Sequence, residues 1–137
     1  MDGTLANVEA IRHLLKTPTG YNAFHAASID SPPHGWVVAT AHQAKADGHA
    51  ILIVTARVAK WRNITASWLA VNGVPSDAMF MRGNKDMRPD YEVKKEILDK
   101  IRKTWDVVHA MDDNPSVIAL WQEEGIPVTR VPGWIEL

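Results

Sequence analysis

The chain has 137 residues, a formal net charge of −1 and no cysteine. That length suits one domain around one core, and it is too short for two full catalytic domains. A disulfide scaffold and a thiol nucleophile are excluded, and the near-neutral balance gives no broad basic footprint for an architectural nucleic-acid binder.

Asn7 to Lys16 reads as a short helix, because Val8, Ile11 and Leu15 recur at helical spacing. Residues 18–35 hold three prolines, two glycines, Asp30 and two serines, which predicts a long rim loop. PPHGW then leads into a helix reaching about Asp47, with Gly48 as its stop. Ala50 to Thr55 (AILIVT) is a continuous apolar run, expected of a strand covered on both faces. Trp61, Ile64, Trp68 and Leu69 mark the apolar side of the next helix, closed by Asn72 and Gly73. Ala78 to Met81 is a short strand. Val93, Ile97, Leu98 and Ile101 stripe a helix from about Asp90 to Lys103.

Asp106 to Met111 (DVVHAM) predicts another strand. Asn114 can cap the following helix and Pro115 suits its first turn. Pro127 to Val131 is the last strand, with the proline at its entrance. Strands alternating with helices imply an α/β domain with a mostly parallel sheet and helices on both faces. The basic cluster of Arg82, Lys85, Arg88, Lys94 and Lys95 could face phosphates or form a solvated surface of mixed charge. The six tryptophans read as core or helix anchors more readily than as base-stacking platforms.

Ligands on parallel sheets lie beyond the carboxyl ends of the strands. Asp2 heads DGTL, Thr55 and Arg57 follow AILIV, and Asp112 and Asp113 follow DVVHAM. Lys94 lies on a helix that approaches from the side. Convergent carboxylates suit a hard cation such as Mg2+, and a hydroxyl and a lysine suit phosphoryl oxygens. Each element alone has a bland reading: DGT as a turn, DD as a solvated turn, Lys94 as a surface lysine.

MDGTL, ILIVTAR, EVKKEIL and MDDNPSV together resemble the four signatures of the haloacid-dehalogenase superfamily. Within it, TAR, MRGNKDMRPDYEVKKEIL and MDDNPSVIALWQEEGIPV are most similar to the 3′-phosphatase domain of bacteriophage polynucleotide kinase-phosphatases. The resemblance implies a three-layer, Rossmann-like sheet with a minimal cap or rim at 18–35. It also implies a Mg2+-dependent phosphomonoesterase acting through an aspartyl-phosphate. The implied general acid/base is Asp2, whose main-chain oxygen also meets the metal. Asp112 is implied as metal ligand and Asp113 as support for the metal shell or the lysine. Thr55 is implied to bind phosphate and Lys94 to stabilise the phosphorylated aspartate. Arg57 and Arg88 are the implied substrate-side residues.

The family pattern also puts an apolar strand and a nucleophilic aspartate just before Asp2. The expectation is therefore a domain over 1–137 without its first strand and, by itself, catalytically silent. The implied partner is a phosphorylated nucleic-acid end or a nucleotide, with a kinase domain outside this chain. A 5′-nucleotidase or other small-molecule phosphatase, and a non-catalytic binding domain, are the alternatives. No apolar run is long enough to span a bilayer, and MDGTLANVEA lacks signal-peptide features. A cytoplasmic location is expected, in the host cytoplasm if the chain is phage-encoded.

Overall fold

The computed structural model describes residues 1–134. A tight turn over the first residues leads into a 3₁₀ helix, Glu9–Lys16, and then α1 (Gly20–Ala27). A 3₁₀ turn at Ser28–Asp30 and the helix α2 (Gly35–Ala46) follow. The remainder alternates: β1 (Leu52–Val58), α3 (Arg62–Val71), β2 (Ala78–Arg82), α4 (Asp90–Ile101), β3 (Ala110–Asp112), α5 (Pro115–Glu123) and β4 (Val128–Arg130). This is an α/β fold with parallel strand pairs, as the alternation implies.

The rim departs from expectation. Residues 18–35 are not a loop, since α1 occupies their first half. The prolines that suggested a loop stand at its borders, Pro18 before α1 and Pro32 and Pro33 after it. Between them YNAFHAA has no breaker, and Phe24 and His25 anchor the helix inside. The opening helix is also tighter than a regular α-helix, being 3₁₀ throughout.

β1 pairs with β2 in parallel, Leu52 opposite Ala78 through Thr55 opposite Met81. β3 pairs with β4 in parallel, Ala110 opposite Val128 through Asp112 opposite Arg130. Instead of one sheet these are two two-stranded sheets. A cavity of about 630 Å³ lies where β1 and β3 would otherwise meet, lined by Ile53, Val54, Leu98, Ile101, Met111 and Trp121 among others. The open edge explains two differences from the sequence reading. Leu52 and Val54 are only half-buried, although they pack toward Val93, Ile97 and Ile101. Of the DVVHAM segment only its last two residues, with Asp112, enter a ladder.

The helix signals operate as their chemistry predicts. Asn114 Oδ1 accepts from the Ser116 amide at 3.0 Å, and Pro115 opens α5. Gly125 leaves α5 with φ +76°, a conformation that side chains resist. The Pro127 carbonyl accepts from the Ala110 amide at 2.9 Å, so the proline stands at the entrance of β4. The main core joins Leu5, Val8, Phe24, Val37, Ile53, Trp68 and Leu69 beneath β1. A second cluster of Leu98, Val117, Leu120, Trp121 and Ile126 packs α4 and α5 against β3.

Candidate active site

DGT is a turn held from both sides. The Met1 carbonyl accepts from the amides of Leu5 and Ala6 at 3.0 and 3.1 Å, and Gly3 sits at φ +79°. A side chain at Gly3 would overlap the Asp113 carboxylate, and one at Gly133 would overlap the Gly3 carbonyl. Glycine is therefore required twice, so that the turn can lie directly against the end of β3 and the segment after β4.

Asp2 emerges from this turn toward the end of β1. The strand register slips between Thr55 and Val58, a bulge that re-aims the residues within it. Arg57, inside the bulge, donates from Nε to Asp2 Oδ2 at 2.9 Å and from Nη2 to Asp2 Oδ1. Its Nη1 donates to Thr65 Oγ1 at 3.0 Å, and Thr65 in turn donates to the Trp61 carbonyl. Burial works to raise the Asp2 pKa, but the two-pronged Arg57 contact overrides it and holds the carboxyl below its usual range. Thr55 shares the buried side of β1 with Arg57, and its hydroxyl accepts from the Arg57 amide at 3.2 Å.

Asp112 ends β3. Its Oδ2 accepts from Lys94 Nζ at 3.0 Å and from Trp121 Nε1 at 3.3 Å, while Oδ1 takes the amides of Asp113 and Asn114. Burial again pushes upward, and Lys94, the Met1 amine and the Asn114 amide bring the net pKa below normal. Asp113 differs. It accepts from Thr4 Oγ1 at 2.9 Å and lies 3.6 Å from Arg12 Nη2, yet burial dominates and its pKa is raised. The buried Met1 amine, lowered first by desolvation and then by Lys94, also feels Asp112, Asp2 and Asp113. Gly3 and Thr4, which follow Asp2 in the turn, lie directly against Asp113, so the Asp2 turn and the end of β3 share one neighbourhood.

Asp2, Arg57, Lys94, Asp112 and Asp113 thus gather around one point, with Thr55 beside Arg57 on β1. Arg88 stands apart. Its exposed guanidinium pairs with Asp86 at 2.7 Å and Glu96 at 2.8 Å. The basic cluster is also divided, because Arg82 is buried and holds the Ala56 and Asp86 carbonyls and Asp90. Hard oxygen donors suit a small divalent cation. The buried pair Asp112 and Asp113 supplies them, and the raised pKa of Asp113 is what added positive charge would relieve. Among the described residues no three carboxylate or imidazole groups are arranged so that together they could hold a metal ion, so further oxygens would have to complete a shell.

A family model described as the polynucleotide kinase PNKP phosphatase domain matches residues 1–133. The chain belongs to this family, of the haloacid-dehalogenase type. Two solved structures align with this phosphatase-domain chain over 96% of its length. One, "Structure of the Pnkp1/Rnl/Hen1 RNA repair complex", is 26% identical with a TM-score of 0.83. The other, "Structure of Pnkp1/Rnl/Hen1 complex", is 28% identical with a TM-score of 0.80. The alignments span 40% and 43% of those longer chains. No curated protein sequence matches.

Sequence reasoning did not reach several residues that this phosphatase-domain chain brings to the site. Arg12 contacts Asp113 and donates to the Gly133 carbonyl at 2.5 Å. Trp121 was readable as core, and it is core, yet its indole N–H also holds Asp112. Thr65 carries no motif at all. Only Thr4, inside DGT, had a local signal.

Proposed function

We propose that the chain carries the site of a magnesium-dependent phosphomonoesterase that removes 3′-phosphate from nucleic-acid ends through an aspartyl-phosphate. The observation behind this reading is the gathering of Asp2, Arg57, Lys94, Asp112 and Asp113 about one point, within a family of phosphatase domains.

Asp112 and Asp113, with the Asp2 main-chain oxygen, would hold the cation, which when bound neutralises phosphoryl charge. The Lys94 ammonium stabilises negative charge building on the transferred group, and the Thr55 hydroxyl binds one of its oxygens. Asp2 protonates the leaving alkoxide and later takes a proton from the attacking water. At rest Asp2 is held ionised by Arg57, so it must gain a proton before acting as an acid. An incoming phosphate that draws Arg57 away from Asp2 permits this, and makes Arg57 a substrate-side residue. Arg88 would act on the substrate only from the periphery.

The nucleophile is a further carboxylate. Asp2, Asp112 and Asp113 each already face a cation or hydroxyl of the chain. A parallel strand laid in the cavity between β1 and β3 would pair both open edges, join the two sheets and complete a three-layer domain. Its end would deliver an aspartate beside the Asp2 turn. Lone strand edges leave backbone groups unpaired, which favours such an occupant.

RNA ends are the favoured substrate because one of the two aligned structures is an RNA repair complex. Their chains are longer, so a kinase domain beyond this segment belongs to the same reading. No helix among the described residues is long and apolar enough to cross a membrane, and a cytoplasmic location is part of the proposal. The test is phosphate release by the complete protein with Mg2+, from 3′-phosphorylated oligonucleotides and from 5′-mononucleotides. Faster release from oligonucleotides is expected. Equal or better turnover of 5′-mononucleotides would make it a small-molecule nucleotidase, and silence on a broad phosphoester panel a binding domain.

A further inference from the structure

We infer that the outer face of α1, with Lys60 and Trp61, seats the nucleoside that bears the scissile phosphate: its base stacks on Tyr21, and Lys60 and Arg62 take the adjoining backbone phosphate. This rests on the nucleic-acid end-processing reading above and adds the element that recognises the nucleic acid.

The rim is wired to the site. Trp61 receives the Thr65 hydroxyl through its carbonyl, Thr65 receives Arg57, and Arg57 holds Asp2. From Trp61 an aromatic row runs outward. The His25 ring lies 5.6 Å from that of Trp61, and Tyr21 lies 6.2 Å from His25. Tyr21 and His25 are one helical turn apart and so share a face of α1. His25 is 7% exposed and wedged against Phe24 as well, which fixes the row. Tyr21, at the outer end, is 73% exposed. Packing accounts for the inner rings and leaves the outer one open to a ligand.

The charge of the rim suits a polyanion. Lys60 Nζ lies 5.2 Å over the Trp61 ring and donates to Asn22 at 2.9 Å, tying α1 to the start of α3. Arg62 beside it is exposed. Residues 10–29 and 58–76 contain no aspartate or glutamate, although they contain Arg12, Lys16, Lys60 and Arg62. An exposed ring next to the Lys60–Asn22 contact, on segments free of carboxylates, matches how single-stranded nucleic acids are held, since every base offers a π-face.

The test is a binding cycle on the full chain. Anisotropy of a dye-labelled, single-stranded 3′-phosphorylated oligonucleotide is measured with wild type, Tyr21→Ala and Tyr21→Phe. Each protein is also tested with the same strand carrying an abasic terminal residue. Tyr21→Ala is expected to weaken binding of the intact strand about ten-fold, in the range base–aromatic stacking provides. On the abasic strand that penalty should vanish, and Tyr21→Phe should bind as wild type. An intact strand bound equally by Tyr21→Ala, or a loss that persists on the abasic strand, overturns the proposal. Phosphatase assays of the complete protein decide the end-processing reading separately, because the cycle reads binding alone.

Discussion

Lys94 and Lys95 are adjacent on α4, carry the same group and each meet an aspartate, yet they belong to different regions of the molecule. The Lys94 side chain is 8% exposed and its carboxylate partner, Asp112, 7%. Lys95 is 43% exposed and reaches Asp99 one turn on and Glu124 on the loop after α5. A step of one residue turns a helix by about 100°, which carries the second lysine off the face shared by Val93, Ile97, Leu98 and Ile101. The geometry of pairing is similar and the consequences are opposite. A buried pair is costly to break because the survivor is left uncompensated, while an exposed pair contributes little.

The sharpest way to break the comparison is to remove Lys94. Lys94→Ala strands the Asp112 carboxylate, leaving it Trp121 Nε1 and two backbone amides. We expect a loss of about 3–5 kcal/mol by denaturant unfolding. Lys94→Met combined with Asp112→Asn should recover most of that stability. It should not recover phosphatase activity in the complete protein, where Lys94→Ala is expected to lower turnover at least about 100-fold. A single variant as stable as wild type would show that the pair does not behave as buried.

The interior carboxylates are positioned by close packing as much as by charge, and Gly3 tests that. Gly3→Ala drives a methyl into Asp113 at a φ of +79°. Overpacking and left-handed strain together should cost about 3 kcal/mol. Gly73→Ala, at φ +64° in open space, carries the strain alone and should cost about 1 kcal/mol. Equal melting temperatures for the two variants would remove the packing argument.

How much of this was legible in the sequence follows the same division. Asp2, Arg57, Lys94, Asp112 and Asp113 stood in local motifs at strand and helix ends, so they could be named before any coordinates. Lys94, the residue named there, is the buried one of the two adjacent lysines. What could not be read depends on contacts distant in sequence. Arg12 meets Asp113 across the chain, and Gly133 touches Gly3 through a backbone approach that no pattern announces. α1 was obscured because prolines at both borders dominated the composition of 18–35. The reading of DVVHAM as a full strand counted apolar residues but not the neighbour needed to pair them.

His25 supplies an interior group without an opposite charge bonded to it. Its Nδ1 has no hydrogen-bond partner among the described residues, and burial, with Arg57 and Lys60 adding and Asp2 opposing, lowers its pKa to about 4. Because the folded value is below the unfolded one, the unfolded chain binds the extra proton first. Stability should therefore fall as pH drops from about 6.5 to about 4, by about 2–3 kcal/mol. Asp113, with its raised pKa, works in the opposite sense. Its share cancels when wild type is compared with His25→Gln, which should show a flatter profile over that window. Asp2 and Asp112 are lowered and enter only at more acidic pH. Parallel profiles for the two proteins would exclude His25 as the titrating group.

The smallest effect belongs to Lys95, and its smallness is the point. Lys95→Ala removes contacts of 2.6 Å to Asp99 and 2.9 Å to Glu124. Both distances are shorter than the 3.0 Å of the buried pair, so distance alone would rank Lys95 first. Solvent reverses the order. In water the attraction is screened, and holding a long side chain in place costs rotamer entropy that offsets much of the gain. Glu124 also keeps Arg102, which reaches its carboxylate at 3.2 Å and its carbonyl at 2.8 Å, so the loop after α5 stays tied to α4. We expect only a small loss in low salt, far below that of Lys94→Ala, shrinking further at about 1 M salt, where the screening length falls to roughly 3 Å. Lys94→Ala should keep most of its penalty at the same salt, because its pair is out of reach of counter-ions. Denaturant unfolding of both variants at the two salt concentrations reads the difference directly. A Lys95→Ala loss that matched Lys94→Ala and resisted salt would mean that burial does not separate these two lysines.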